Sequence, residues 1–119
     1  MQFDDIEQAS LELIAELIKW PGAVIAVDTE ATGLNVASGE DICIGVSIAT
    51  VVNDTAYSHY FPLNHPEGDN CSSEVIFALA ELLEENLNTL LFVNAQFDIL
   101  SLETIGIYTE NAKDRKSVV

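Results

Sequence analysis

The chain has 119 residues, of which 20 are Asp or Glu and only 4 are Lys or Arg, for a formal net charge of −16. That length suits one domain, and a hydrophobic content of 49% excludes a disordered acidic tail. No apolar run reaches the roughly 18 residues that span a bilayer; the acidic start MQFDDIEQAS is unlike a signal peptide, and two cysteines are too few for a disulfide framework or zinc site. A cytoplasmic domain with no membrane contact is expected. The charge is also uneven: residues 1–112 hold 19 acids against Lys19 alone, while Lys113, Arg115 and Lys116 crowd the end. Nucleic-acid binding rests on cations that neutralise phosphate, so composition by itself argues against it.

The elements follow in chain order. Ile6, Leu13, Ile14, Leu17 and Ile18 fall near helical spacing and predict a helix over 6–19, capped by Asp4 or Asp5 and stopped by Trp20-Pro21-Gly22. Ala23 to Val27 is short, apolar and β-branched, which predicts a strand buried on both faces and ending at Asp28. Strands over 41–51 and 55–62, joined by a turn at Asn53-Asp54, complete an antiparallel meander. A polar loop covers 63–71. Ser72-Ser73-Glu74 then opens a helix over 73–86, and Thr89 to Val93 forms a fourth strand before a helix over 95–104. The order predicts one α/β domain with a mixed sheet.

Two short segments carry candidate chemistry. In Asp28-Thr29-Glu30 the acids are two residues apart, so on an extended strand they share a side, at the end of the strand where open α/β sheets place ligands. Two such carboxylates repel unless a proton or a cation lies between them, and their oxygens suit Mg²⁺ or Mn²⁺. The second segment is Asn94-Ala95-Gln96-Phe97-Asp98, where Asn94 can cap a helix and Asp98 lies within a turn of it. If its strand lies beside the first, Asp98 joins Asp28 and Glu30. The plainer alternative is a cap with an acid that complements the helix dipole.

Together, the run Val24 to Leu34 (VIAVDTEATGL) and Asn94-x-x-Phe97-Asp98 resemble the first two motifs of the DEDD 3′–5′ exonuclease superfamily. Ile44 to Ala49 (IGVSIA), Ala56-Tyr57 and Phe61-Pro62-Leu63-x-His65 resemble the proofreading domain of bacterial and phage family A DNA polymerases, over about residues 22–107. The resemblance implies a ribonuclease-H-like fold: a mixed sheet of a three-strand antiparallel meander plus a parallel strand, flanked by helices. It also implies two-metal hydrolysis of a single-stranded DNA 3′ end, with two divalent cations, Mg²⁺ or Mn²⁺, held by Asp28, Glu30 and Asp98. Thr29, Thr32, Gly33, Leu34 and Asn94 would then bind the substrate, with Leu34 against the last base. A DNA polymerase domain or another replication protein is the implied partner.

The family also carries a third motif, Tyr-x-x-x-Asp or His-x-x-x-x-Asp, and neither spacing occurs here; four residues after Tyr108 stands Ala112. Asp114 is comparable to an acid that the family often carries after its second motif. The last strand and terminal helix of the fold are expected to be missing, leaving a C-terminally truncated domain whose basic tail, 113–116, is unlike the family. An alternative function is therefore an acidic interaction module, or a truncated fragment, that binds a replication protein or a basic partner without catalysis. His59 and His65 read as structural and distant from the carboxylates, Cys43 as a core residue, and Cys71 as an exposed loop thiol. Tyr57 and Phe61 read as meander core.

Overall fold

A two-residue loop fixes the first pairing of the sheet. Asn53 and Asp54 both adopt left-handed backbone (φ 51° and 62°), the conformation of a tight hairpin turn, which Asn and Asp tolerate better than other side chains. The turn sets Val52 opposite Thr55 and so fixes the register of β2 (Cys43–Val52) against β3 (Thr55–Pro62). The computed structural model describes residues 5–85, 88–109 and 114–117; the suggested cap Asp4, Asn86 at the end of the predicted helix, and Lys113 lie outside them.

β1 (Val24–Ala31) pairs antiparallel with β2 and parallel with β4 (Thr89–Phe92). The strand order is β3-β2-β1-β4-β5. Among the described residues, three α-helices accompany the sheet: α1 (Asp5–Ile18), α2 (Ser73–Ala80) and α3 (Ala95–Glu103). This is the mixed α/β arrangement expected, with two departures. Asp114–Ser117 forms a fifth strand, β5, parallel to β4 at the sheet edge, so the segment expected to lack the last strand supplies one. A strand added at an edge needs only backbone donors and acceptors, and the sequence pattern therefore hardly marks it. The predicted helix over 73–86 also changes character, passing from α2 into a π-helical turn at Glu81–Glu85. Leu82 and Leu83 are both buried there, and Asn88 Nδ2 donates to the Leu82 carbonyl at 3.3 Å.

The core lies on one face of the sheet. Ile25 and Val27 of β1 oppose Ile48 of β2, Leu90 and Phe92 of β4, and the apolar sides of the helices, through Ile14, Leu17, Leu79 and Leu102. Phe61 is fully buried on that face and Tyr57 packs at its margin, as expected. β1 is not buried on both faces, however. Its burial alternates, with Val24, Ala26, Asp28 and Glu30 exposed on the other side. Among the described residues no helix covers this second face, where Val51 and Val93 are also exposed. A run of apolar residues cannot distinguish a strand sandwiched between layers from one whose outer side carries small residues. No described helix is long and apolar enough to cross a membrane.

The α1–α2 contact is made through a cap. Ser72 caps α2, its hydroxyl accepting from the Glu74 amide at 3.2 Å. The same hydroxyl and the Ser72 amide both donate to the Glu7 carboxylate of α1, each at 2.6 Å. These bonds hold Glu7 below the usual carboxylate range, the side-chain bond more than the backbone one. Ser72→Ala removes the cap and one of the two bonds to Glu7 together, and is expected to cost about 1–2 kcal/mol in urea unfolding. A loss near zero would show that water replaces the cap freely.

The other readings resolve simply. Cys43 is buried as expected, but Cys71 is buried too, 3.5 Å from Ser10 Oγ, so the loop thiol is not exposed; both cysteines are free. Cys71 follows directly on Pro62 in space, its amide bonded to the Pro62 carbonyl at 2.7 Å, which pulls the end of the loop against α1. His59 is structural, bonded through Nε2 to Ser10 Oγ at 2.8 Å and edge-on to Phe61.

Candidate active site

β1 continues through Asp28, Thr29 and Glu30 instead of ending at Asp28. The alternation of the strand puts both acids on the exposed face, while Thr29 turns toward α3. Parallel pairing sets Val27 beside Phe92, so β4 ends next to Asp28 and α3 starts there. Asn94 is the cap of α3, its Oδ1 accepting from the Phe97 amide at 3.4 Å. Asp98, in the first turn of α3, is almost fully buried. Its Oδ1 accepts from the Thr29 amide (3.2 Å) and hydroxyl (2.8 Å), and its Oδ2 from the Asn94 amide (3.0 Å). The plainer reading of these residues, a cap and a local acid, describes part of what they do; Asp98 also ties α3 to the centre of β1.

Asp28 responds to this neighbourhood. Its side chain reaches solvent, yet its carboxyl rests against the sheet, and partial desolvation followed by the charge of Asp98 holds it above the ordinary carboxylate range. Glu30 adds to the effect, and the Thr29 amide opposes it. A carboxylate pressed by the charges of two others nearby is the donor chemistry that suits a hard divalent cation. In donor type and electrostatics the residues fit such an ion. They are not yet gathered around one, since among the described residues no three His, Cys, Asp or Glu side chains converge closely enough to hold a metal.

Glu30 has partners from β3 and from the loop that follows it. Tyr60 Oη donates to Glu30 Oε1 at 2.9 Å, and His65 Nε2 lies 2.5 Å from the same hydroxyl and 3.9 Å from Glu30 Oε1. His65 therefore stands beside one of the carboxylates, contrary to its expected distance from them. The loop after β3 folds back along β2, with the Leu63 and Asn64 amides both bonded to the Ile44 carbonyl, and this return carries His65 to β1. Tyr60 had no marking in the sequence beyond its place in an alternating strand.

The loop between β1 and β2 is organised by Asp41. Its carboxylate accepts from the Thr32 hydroxyl (2.9 Å) and the Asn35 amide (2.8 Å), while the Ile42 amide donates to Thr32 Oγ1 at 3.1 Å. A Cβ at position 33 would strike the Asp41 carboxylate, so a larger residue there would push Asp41 off these hydrogen bonds. Leu34 stands 85% exposed at the loop's tip, and with Asn94 and Phe97 it lines a hollow of about 220 Å³. On the bare face, Asp28, Ser47, Ala49, Tyr60 and Val93 border a wider open groove of about 720 Å³.

A family model described as a 3′–5′ exonuclease, of the DNA polymerase A type, matches residues 1–118. The match extends past the predicted 22–107 at both ends and takes in α1 and β5. No curated protein matches the chain.

Proposed function

The chain belongs to the 3′–5′ exonuclease family of family A DNA polymerases, and from that membership we propose that it removes nucleotides from single-stranded DNA 3′ ends, releasing nucleoside 5′-monophosphates. The observation that carries this reading is the parallel β1–β4 pairing, which starts α3 beside Asp28 and so brings Asp98 to the same end of the sheet as Asp28 and Glu30. Asp28, Glu30 and Asp98 would hold two divalent cations, Mg²⁺ or Mn²⁺, whose chemistry is to activate a water and to neutralise charge at the phosphate.

The chain's own residues do the rest. Asp98 is immobilised by Thr29 and Asn94 and so gives the site one fixed carboxylate. Asp28, whose carboxyl feels the charge of both other acids, would share in holding the ions. Leu34 packs against the last base, whose place is the hollow it shares with Asn94 and Phe97. Asn94 contributes by capping α3, its Oδ1 accepting from the Phe97 amide, and so fixes where the helix begins beside Asp28. Thr29 contributes through Asp98. Thr32 and Gly33 contribute through the shape of the loop, because the Thr32 hydroxyl is already engaged by Asp41 and Ile42. A polymerase domain or replication protein would supply the cationic surface that this acidic chain lacks.

A second reading, an acidic interaction module for a basic partner, is favoured by the charge of −16. Digestion of a 5′-labelled single-stranded oligonucleotide separates the two. With Mn²⁺, a ladder shortening from the 3′ end is expected, absent in EDTA and lost in Asp28→Ala. No shortening under any divalent ion would overturn catalysis and leave the interaction module.

A further inference from the structure

Tyr60, Gly45 and His65 form a built arrangement around a single carboxylate oxygen. In the sheet, Glu30 lies opposite Gly45, and Gly45 opposite Pro62, so Tyr60 stands one side-chain step along β3 on the same outer face. To reach Glu30 the Tyr60 ring must cross β2, and it crosses at position 45. Any Cβ there would overlap the Tyr60 ring and hydroxyl. Glycine inside a strand costs conformational entropy and packs nothing; at this position it provides the bed on which the ring lies. His65 closes the far side, its ring edge-on to that of Tyr60 at 5.7 Å. Its backbone is pinned by Asn70, whose side chain accepts from the His65 amide at 2.8 Å and donates to the His65 carbonyl at 2.9 Å.

The direction of the proton chain follows from the donor inventory. Tyr60 Oη has one hydrogen, and it goes to the Glu30 carboxylate, which can only accept. His65 Nε2 must then be the donor to Tyr60 Oη, so the chain runs from His65 to Tyr60 to Glu30. The side chain of Glu30 is otherwise 61% exposed, and an exposed glutamate samples many rotamers. With Oε1 engaged, Oε2 is the oxygen left for another partner.

We propose that Tyr60, seated on Gly45 and braced by His65, is a positioning residue that fixes Glu30 through Oε1 and leaves Oε2 to a divalent cation. This rests on the reading of Asp28, Glu30 and Asp98 as a metal site. Hydrogen bonds of this kind to metal-binding carboxylates are commonly worth 10–100-fold in metal affinity. The alternative sign is physically distinct: the same bond could hold Glu30 back from the ion, and its removal would then tighten binding.

The test is titration of the full chain with Mn²⁺ alone, followed by calorimetry, in wild type, Asp28→Ala, Tyr60→Phe, Glu30→Gln and the Tyr60→Phe/Glu30→Gln double variant. Tyr60→Phe keeps the ring on Gly45 and removes only the hydroxyl, so melting in EDTA should change little. The expected result is a site that is lost in Asp28→Ala and weakened 10–100-fold in Tyr60→Phe. In the Glu30→Gln background, Tyr60→Phe should add little further weakening, because its effect passes through Glu30. Equal weakening in both backgrounds would mean a general structural role and overturn the proposal, as would unchanged or tighter binding by Tyr60→Phe. A Mn²⁺ site indifferent to Asp28→Ala would instead overturn the metal site itself, and the positioning role with it. Gly45→Ala, which displaces the ring while leaving its hydroxyl, should reproduce the weakening of Tyr60→Phe; wild-type affinity in a folded Gly45→Ala protein would also count against the proposal.

Discussion

Asp98→Ala is expected to destabilise the protein by about 2–4 kcal/mol, measured by urea unfolding in EDTA. The side chain is 1% exposed and accepts from three donors, the Thr29 amide, the Thr29 hydroxyl and the Asn94 amide. Truncation leaves those donors facing a void beside the core, and a buried donor without a partner costs more than a neutral hydrogen bond contributes. Removing Asp98 also relieves its repulsion of Asp28, which works in the opposite direction. That relief is the smaller term, because Asp28 lies on the exposed face of the sheet, where solvent screens its Coulomb interactions. Asp98→Asn should fall between wild type and Ala, since its amide can present only one oxygen to donors that now meet two. A loss under about 1 kcal/mol for Asp98→Ala would mean that the tie between α3 and β1 contributes little.

Asp28→Asn should have the opposite sign. A carboxyl that folding holds above its ordinary range binds its proton more tightly in the folded chain than in the unfolded one, so ionising it costs stability. The cost begins as pH rises past the unfolded value near 3.8 and is fully present above the raised folded value. At pH 7 in EDTA, Asp28→Asn is therefore expected to melt higher than wild type, by a margin that shrinks on acidification and vanishes below about pH 3.8. Any lost acid reduces the self-repulsion of a chain with charge −16, so Glu67→Gln, on an exposed loop, measures that general effect. The gain for Asp28→Asn must exceed it. Saturating Mn²⁺ should reverse the order, because an ion that binds only the folded state stabilises wild type by about 2.7 kcal/mol at a hundredfold excess over Kd. A neutral-pH loss in Asp28→Asn without metal would show that neither desolvation nor the neighbouring charges disfavour the ionised Asp28.

Much of this site could be read from the sequence because its determinants are local. Asn94 caps α3 through a bond to a residue three positions on, and the alternation of a strand alone puts Asp28 and Glu30 on one side. The turn at Asn53-Asp54 is likewise a property of two residues. The role of Asp98 was half legible: its position one turn into a helix is local, but its bonds to Thr29 span 69 residues and depend on β1 and β4 lying side by side.

The sequence by itself determined the order of elements from α1 to α3, the hairpin turn at Asn53-Asp54, the cap of α3 and the two acidic segments, since periodicity, turn chemistry and capping act over a few residues. Only the tertiary structure decided that β1 is bare on one face, that residues 114–117 join the sheet as β5, that Cys71 is buried, and that Tyr60 and His65 serve Glu30. Each of these depends on register across strands or on a loop's return path. Tyr60 shows why: its hydroxyl meets Glu30, 30 residues away, only because two registers align and the residue between them has no side chain.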